Sequence, residues 1–84
     1  MTYGIFILRS AQKGLALLPV ELYEKVRDAI RELSQVPRPV GSKKLTARDG
    51  WRIRVNDYRV VYEIDDKEKT VTILAVKHRR DAYR

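Results

Sequence analysis

Residues 51–62 constrain the fold of this 84-residue chain more than any other segment. Apolar residues and arginines alternate on both sides of Asn56-Asp57, a pattern typical of a β-hairpin with a two-residue turn. One face of this hairpin is therefore apolar and aromatic, whereas the other places Arg54 directly opposite Arg59. Because like charges opposite each other destabilise a sheet, we expect that face to bind an anion, and planar guanidinium groups suit phosphate.

The N-terminal half predicts one strand followed by two helices. Residues 2–8 form an apolar, β-favouring run, and Ser10 is expected to cap a short helix that ends near Leu18. A second helix begins near Pro19, carries a continuous apolar stripe and must end before Pro37.

The C-terminal half supplies the remaining strands. Residues 71–76 are apolar at both odd and even positions, which predicts an interior strand that is at least partly covered on both sides. Trp51, Tyr58 and Tyr62 share the apolar hairpin face and are expected in the core. The order β-α-α-β-β-β predicts a single α+β domain over residues 1–84, with a helical hairpin packed on one face of a mostly antiparallel sheet.

The composition points to a polyanionic partner. The net charge is +7, and the strand-rich residues 43–84 carry twelve Lys/Arg against seven Asp/Glu. A basic surface of this kind favours nucleic acid. The absence of cysteine and the presence of one histidine, His78, argue against a metal site, so we expect no metal or cofactor. No apolar run approaches the roughly 20 residues that span a bilayer, and no signal peptide is recognisable, so we expect a cytoplasmic protein without membrane association.

The arginines of the hairpin suggest RNA chemistry. Attack by a ribose 2′-OH on its phosphodiester needs a base, an acid and positive charge on the phosphorane-like transition state, but no metal. Arg52, Arg54 and Arg59 could supply that charge. Judged by residue types alone, phosphate binding without cleavage is favoured over catalysis. His78 could transfer protons, although a structural hydrogen bond is the commoner role for a histidine at a strand end.

The chain resembles the RelE branch of the RelE/ParE toxin superfamily along essentially its whole length. The segments that carry the resemblance are Ala11-Gln12-Lys13, Leu17-Leu18-Pro19, Pro37-Arg38-Pro39, Lys43-Lys44-Leu45, residues 50–62 and residues 78–84. The resemblance implies a fold akin to microbial ribonucleases and a toxin that enters the ribosomal A site and cleaves mRNA there. It also implies a cognate RelB-like antitoxin, and the basic composition favours an acidic partner that folds on binding.

The resemblance also assigns the site. Its catalytic residues map onto Arg52, Arg54, Arg59, Arg79 and Tyr83, and His78 is a further candidate. Lys43, Lys44 and Arg48 are expected to hold the RNA backbone. Known relatives carry lysines where this chain has Arg52 and Arg54, and arginine is a poor general base. Either the base lies elsewhere, with Lys44, His78 and Tyr83 as candidates, or catalysis relies on charge stabilisation of the transition state and on positioning by the ribosome.

Two other functions compete with mRNA cleavage. A ParE-like inhibitor of DNA gyrase would use the same fold, but the intact Arg59, Arg79 and Tyr83 argue against it. A non-catalytic protein that binds RNA or the ribosome would use the same arginines, and the presence of Arg52 and Arg54 where known relatives carry lysines keeps that alternative open.

Overall fold

The computed structural model describes residues 2–46 and 49–82. Its elements are β1 (Gly4–Ile7), α1 (Arg9–Ala16), α2 (Val20–Glu32), β2 (Lys43–Lys44), β3 (Trp51–Val55), β4 (Tyr58–Asp65), β5 (Thr70–His78) and α3 (Arg79–Ala82). This order confirms the predicted α+β class. It differs from the prediction by an additional two-residue strand, β2, and by the short helix α3.

The five strands form one sheet in the order β1-β5-β4-β3-β2. β1 runs parallel to β5, and the other neighbouring strands are antiparallel, which confirms the mostly antiparallel prediction. α1 packs on β5 and α2 packs on β3, so the helical hairpin covers one face of the sheet. None of the helices in the described residues is long and apolar enough to cross a bilayer.

The core lies between that sheet face and the two helices. Its buried side chains are Ala11, Leu18, Val26, Ile30, Leu33, Ile53, Val60, Tyr62, Val71, Ile73 and Val76. Tyr62 is completely buried, and Trp51 and Tyr58 are half-buried against the same cluster. The apolar hairpin face therefore belongs to the core, as its alternation predicts.

The start of α1 differs from the prediction. The helix begins at Arg9 and ends at Ala16, and no side chain caps its N-terminus. The predicted cap at Ser10 is wrong because its hydroxyl donates a hydrogen bond to the Leu74 carbonyl of β5. Ser10 therefore ties the helix to the sheet instead of satisfying the helix's own N–H groups.

β5 carries a β-bulge that changes which side chains face the core. Val61 pairs with Ala75 and Tyr62 pairs with Ile73, which leaves Leu74 without a directly opposed residue. Ile73 and Val76 consequently both point into the core. The apolar residues at odd and even positions of this interior strand thus arise largely from the bulge. A covering layer on both faces, as the sequence predicts, is not seen in the described residues.

Polar contacts fasten the proline-containing connection between α2 and β2. The Tyr62 hydroxyl donates a hydrogen bond of 2.8 Å to the Pro37 carbonyl. The Arg38 guanidinium lies 2.8 Å from the Asp66 carboxylate and 5.2 Å from the centre of the Trp51 ring. These contacts set where the chain enters β2 at the edge of the sheet.

Candidate functional site

The pairing register of the β3–β4 hairpin determines which cationic side chains lie next to each other. Val55 pairs with Tyr58 and Arg54 pairs with Arg59, so the pairing predicted from the Asn-Asp turn is confirmed. Asn56 adopts a φ of 55°, a left-handed conformation that asparagine tolerates better than most residues. Because Tyr58 and Val60 point towards the helices, the intervening Arg59 points to the uncovered face of the sheet.

Two rows of residues cross this uncovered face. In the first row, Arg54 lies opposite Arg59, and Arg59 lies opposite Lys77. In the second row, Lys43 lies opposite Arg52 at the edge of the sheet. Directly opposed residues project to the same side, with Cβ atoms roughly 5 Å apart. We call these five residues (Lys43, Arg52, Arg54, Arg59 and Lys77) the basic face.

The basic face contains two depressions that share Arg59. A small cleft of about 50 Å³ is lined by Arg54, Arg59 and Arg79 beside the hairpin turn. A wider groove of about 390 Å³ is lined by Arg52, Arg59 and Lys77, and its apolar walls include Val61, Leu74 and Ala75. The cleft presents permanent positive charge, and the groove combines positive charge with apolar surface.

Arg79 reaches the hairpin through the turn from β5 into α3. The Arg79 N–H donates a hydrogen bond of 2.7 Å to the Asp57 carbonyl in the hairpin turn. This contact brings a residue from the end of the chain to Arg54 and Arg59. The structure therefore brings together Arg52, Arg54, Arg59 and Arg79 of the predicted catalytic set.

His78 lies on the other side of the sheet. It pairs with Tyr58, and the two rings meet edge to face with centroids 5.2 Å apart. Its Nδ1 accepts a hydrogen bond of 3.2 Å from the Arg80 N–H. The structure thus does not place His78 with the arginines, and it has the structural hydrogen bond that is common for a histidine at a strand end.

The residues predicted to hold the RNA backbone are separated by the structure. Lys43 belongs to the basic face, whereas Lys44 pairs with Trp51 and so projects from the opposite side of β2. Arg48 and Tyr83 lie outside the described residues, so their roles remain predictions.

Lys77 is the residue that the sequence reasoning missed. Val71 and Ile73 point into the core, so simple alternation along β5 places residue 77 on the core side as well. The bulge at Leu74 shifts that alternation by one residue, and Lys77 projects beside Arg59 on the uncovered face. The signal available in the sequence was the change in apolar parity within residues 71–76.

Acidic residues gather at the other end of the sheet. A cavity of about 530 Å³ is lined in part by Asp49, Glu63, Asp65 and Asp66. Asp65 is six residues from Arg59 along β4, which corresponds to about 20 Å. The hydrogen bonds from Arg38 and then Tyr3 lower the pKa of Asp66 to about 2, so this end keeps its negative charge. The acidic end of the sheet is thus less suited to an anionic ligand than the basic face.

Comparison with known proteins identifies the class. The profile of a family described as the ParE toxin of the parDE type II toxin–antitoxin system matches residues 5–83. Toxin RelG from Mycobacterium tuberculosis is 36% identical over 86 residues, which span 100% of this chain and 99% of that protein. These matches define a toxin of a type II toxin–antitoxin system. The chain belongs to the RelE/ParE toxin superfamily.

Solved structures agree with this assignment. A chain of the RelBE2 toxin–antitoxin complex from Mycobacterium tuberculosis is 30% identical, with a TM-score of 0.83 over 93% of this chain and 92% of that chain. A chain of the archaeal RelE–RelB complex from Pyrococcus horikoshii OT3 is 32% identical, with a TM-score of 0.80 over 94% of this chain and 97% of that chain. The helix-covered sheet is thus shared with RelE toxins.

Proposed function

We propose that this toxin is a metal-independent endoribonuclease that cleaves mRNA in the A site of the ribosome and thereby stops translation in the cytoplasm. The observation that carries the proposal is the convergence of Arg54, Arg59 and Arg79 around one small cleft beside the hairpin turn. Three arginines that line one cleft suit a phosphate that gains negative charge in the transition state.

Each part of the basic face has a role in this proposal. Arg59 and Arg79 stabilise the scissile phosphate, and Arg54 contributes charge from the neighbouring strand. Arg52 and Lys43 line the approach to the cleft at the sheet edge and hold the adjoining RNA backbone. Tyr83 stacks on or orients the base near the cut, as the resemblance implies.

The proposed inhibitor is an acidic RelB-like antitoxin that folds as it binds. Two of the most similar structures are RelE-type toxins in complexes with RelB-type antitoxins. The toxin also exposes apolar side chains that a partner could cover: Leu17 at the end of α1, Val20 at the start of α2, and Phe6 on the edge strand β1. Size-exclusion chromatography of the toxin co-expressed with a neighbouring acidic reading frame tests this part, and failure to form a stable complex would contradict it.

Primer extension on a message under translation tests the nuclease proposal. Purified toxin is added to a reconstituted translation system, and the same RNA without ribosomes serves as the control. We expect cuts within A-site codons of translated RNA and none in naked RNA. Uncut message with translation continuing would contradict the proposal and favour gyrase inhibition, which a supercoiling assay detects. Blocked translation without cuts would instead indicate a toxin that occupies the ribosome and does no chemistry.

A further inference from the structure

Three apolar side chains lie among the cations on the uncovered face of the sheet. Arg52 pairs with Val61, and Val61 pairs with Ala75, so these residues form one row across the strands. The bulge in β5 brings Leu74 to the same face, and it lines the groove of about 390 Å³ together with Val61 and Ala75. All three side chains are only half-buried. We call Val61, Leu74 and Ala75 the apolar floor.

Cations border the apolar floor. Arg52, Arg59 and Lys77 line the same groove, and Arg59 also lines the small cleft beside the hairpin turn. Arg59 and Val61 are two residues apart on β4, which corresponds to about 7 Å along the strand. One nucleotide can span that distance. A ligand on the apolar floor would therefore lie next to a phosphate in the cleft.

A nucleotide of single-stranded RNA combines the two kinds of surface that the groove offers to a ligand. Its base is flat and can pack on an uncharged protein surface, while its phosphate is anionic and binds Arg and Lys. The volume of about 390 Å³ lies within the usual range for small-ligand sites. The groove and the cleft share Arg59. The ligand nearest to the groove is thus the RNA whose phosphate the cleft is proposed to hold.

We propose that the groove is a base-binding subsite, in which the base of a nucleotide that adjoins the scissile phosphate packs on the apolar floor. Arg52 and Lys77 hold the backbone of the same nucleotide. This inference rests on the proposed nuclease function. The base in the groove is a second one, in addition to the base that the resemblance assigns to Tyr83. Its packing fixes the nucleotide beside the cleft and so helps to align the phosphate with the arginines.

An abasic message provides the test. An abasic ribonucleotide keeps its phosphate and its 2′-OH and lacks only the base. We propose measuring single-turnover cleavage on programmed ribosomes with three messages: the ordinary one, and two that lack the base on the 5′ or the 3′ side of the scissile phosphate. The toxin variants are Leu74→Ala, which removes the largest floor side chain, and Ala75→Gln, which fills the groove with a neutral polar chain. Ala16→Gln, at the exposed end of α1, is the matched control.

The expected pattern isolates the contact between base and floor. On the ordinary message, Leu74→Ala and Ala75→Gln should each be slower than the unaltered toxin by about 10-fold, the scale of one base contact. On one of the two abasic messages both variants should match the unaltered toxin, because the contact is already lost. Ala16→Gln should match it on all three messages. Arg59→Ala should be slow on all three, since the phosphate lacks its charge partner whether or not the base is present.

Three results would overturn the inference. Equal slowing of both floor variants on all three messages would make the floor a structural feature only, and urea denaturation would then show a loss of stability. Full activity of either floor variant on the ordinary message would exclude a base from the groove; weaker antitoxin binding by that variant would assign the groove to the antitoxin instead. Failure of the unaltered toxin to cut the ordinary message would overturn the nuclease proposal itself, and this inference with it.

Discussion

Gly14 offers a stability prediction in which two effects oppose each other. It lies in α1, where replacement by alanine normally stabilises a helix by about 1 kcal/mol. Here, however, a Cβ atom would overlap the Val76 carbonyl oxygen of β5 and would lie 3.1 Å from the Val76 Cβ and 3.2 Å from its carbonyl carbon. The helix approaches the strand so closely that only a hydrogen atom fits between them.

The steric effect should outweigh helix propensity. The overlapped oxygen belongs to the backbone of β5, where Val76 pairs with Val60 of β4, so it cannot rotate away as a side chain would. Overpacking of this kind typically costs about 1–3 kcal/mol, and contact with backbone favours the upper end of that range. After subtraction of the propensity gain, Gly14→Ala should lower the free energy of unfolding by about 1–2 kcal/mol. For a domain of this size, that corresponds to a drop in Tm of roughly 5–15 °C.

Urea denaturation followed by fluorescence of Trp51, the single tryptophan, measures this difference. Lys13→Ala is the matched control because Lys13 is exposed on the same helix, and its effect should stay within about 0.5 kcal/mol. A Gly14→Ala variant as stable as the unaltered protein, or more stable, would refute the close approach of α1 to β5.

Three further variants test the anchors of the fold and the site. Tyr62→Phe removes the buried hydrogen bond to Pro37 and should cost about 1 kcal/mol in urea denaturation. Burial raises the pKa of Tyr62 to about 12, so the unfolded tyrosine ionises first and stability should fall as pH rises from about 10 to about 12; this fall should shrink in Tyr62→Phe. Asp66, with its pKa lowered to about 2, should contribute stability above about pH 4 that is lost as pH falls towards 2, and Asp66→Asn should lack that acid dependence. Arg59→Ala should abolish growth arrest while its Tm stays within a few degrees of the unaltered value, and continued arrest by a well-expressed variant would remove Arg59 from the site.

The alternation of apolar and charged residues was sufficient to predict the β3–β4 hairpin, because no bulge interrupts the pairing of these two strands between Trp51 and Tyr62. The turn between β3 and β4 has two residues, so the register follows once the turn is recognised, and Arg54 must lie opposite Arg59. The apolar stripe of α2 is equally regular, and Val26, Ile30 and Leu33 are buried as it predicts. In both elements a local period determines the face on which each side chain lies.

The same reasoning failed where one residue changed the period. Counting along β5 from Val71 places Lys77 in the core and His78 on the uncovered face, and the structure has the reverse. The bulge at Leu74 is a feature of the pairing between β5 and β4. The sequence of β5 alone therefore does not predict it. The capping role predicted for Ser10 failed for a related reason, since its hydroxyl finds an acceptor on β5, 64 residues later in the chain.

The placement of Arg79 could be inferred only through resemblance. Its contact with the Asp57 carbonyl joins segments more than 20 residues apart, and no local pattern reports it. Conversely, helix propensity alone makes Gly14 a weak point of α1, whereas the structure shows that its missing side chain allows α1 to contact β5. A residue that is unfavourable for its own helix or strand can therefore be required by a tertiary contact.

The two faces of the sheet have different roles. One face provides stability, and the other carries the clustered cations of the candidate site, so the cost of clustering does not fall on the core. The core face provides stability through apolar burial against α1 and α2. On the basic face, like charges lie directly opposite each other, as Arg54 and Arg59 do, and a sheet gains no stability from such pairs. Under the proposed function, a bound phosphate would offset this repulsion, so the same charges would strengthen a complex with RNA. Neutral substitutions on this face should therefore leave stability unchanged or raise it while they abolish activity, because function and folding depend on opposite sides of the same strands.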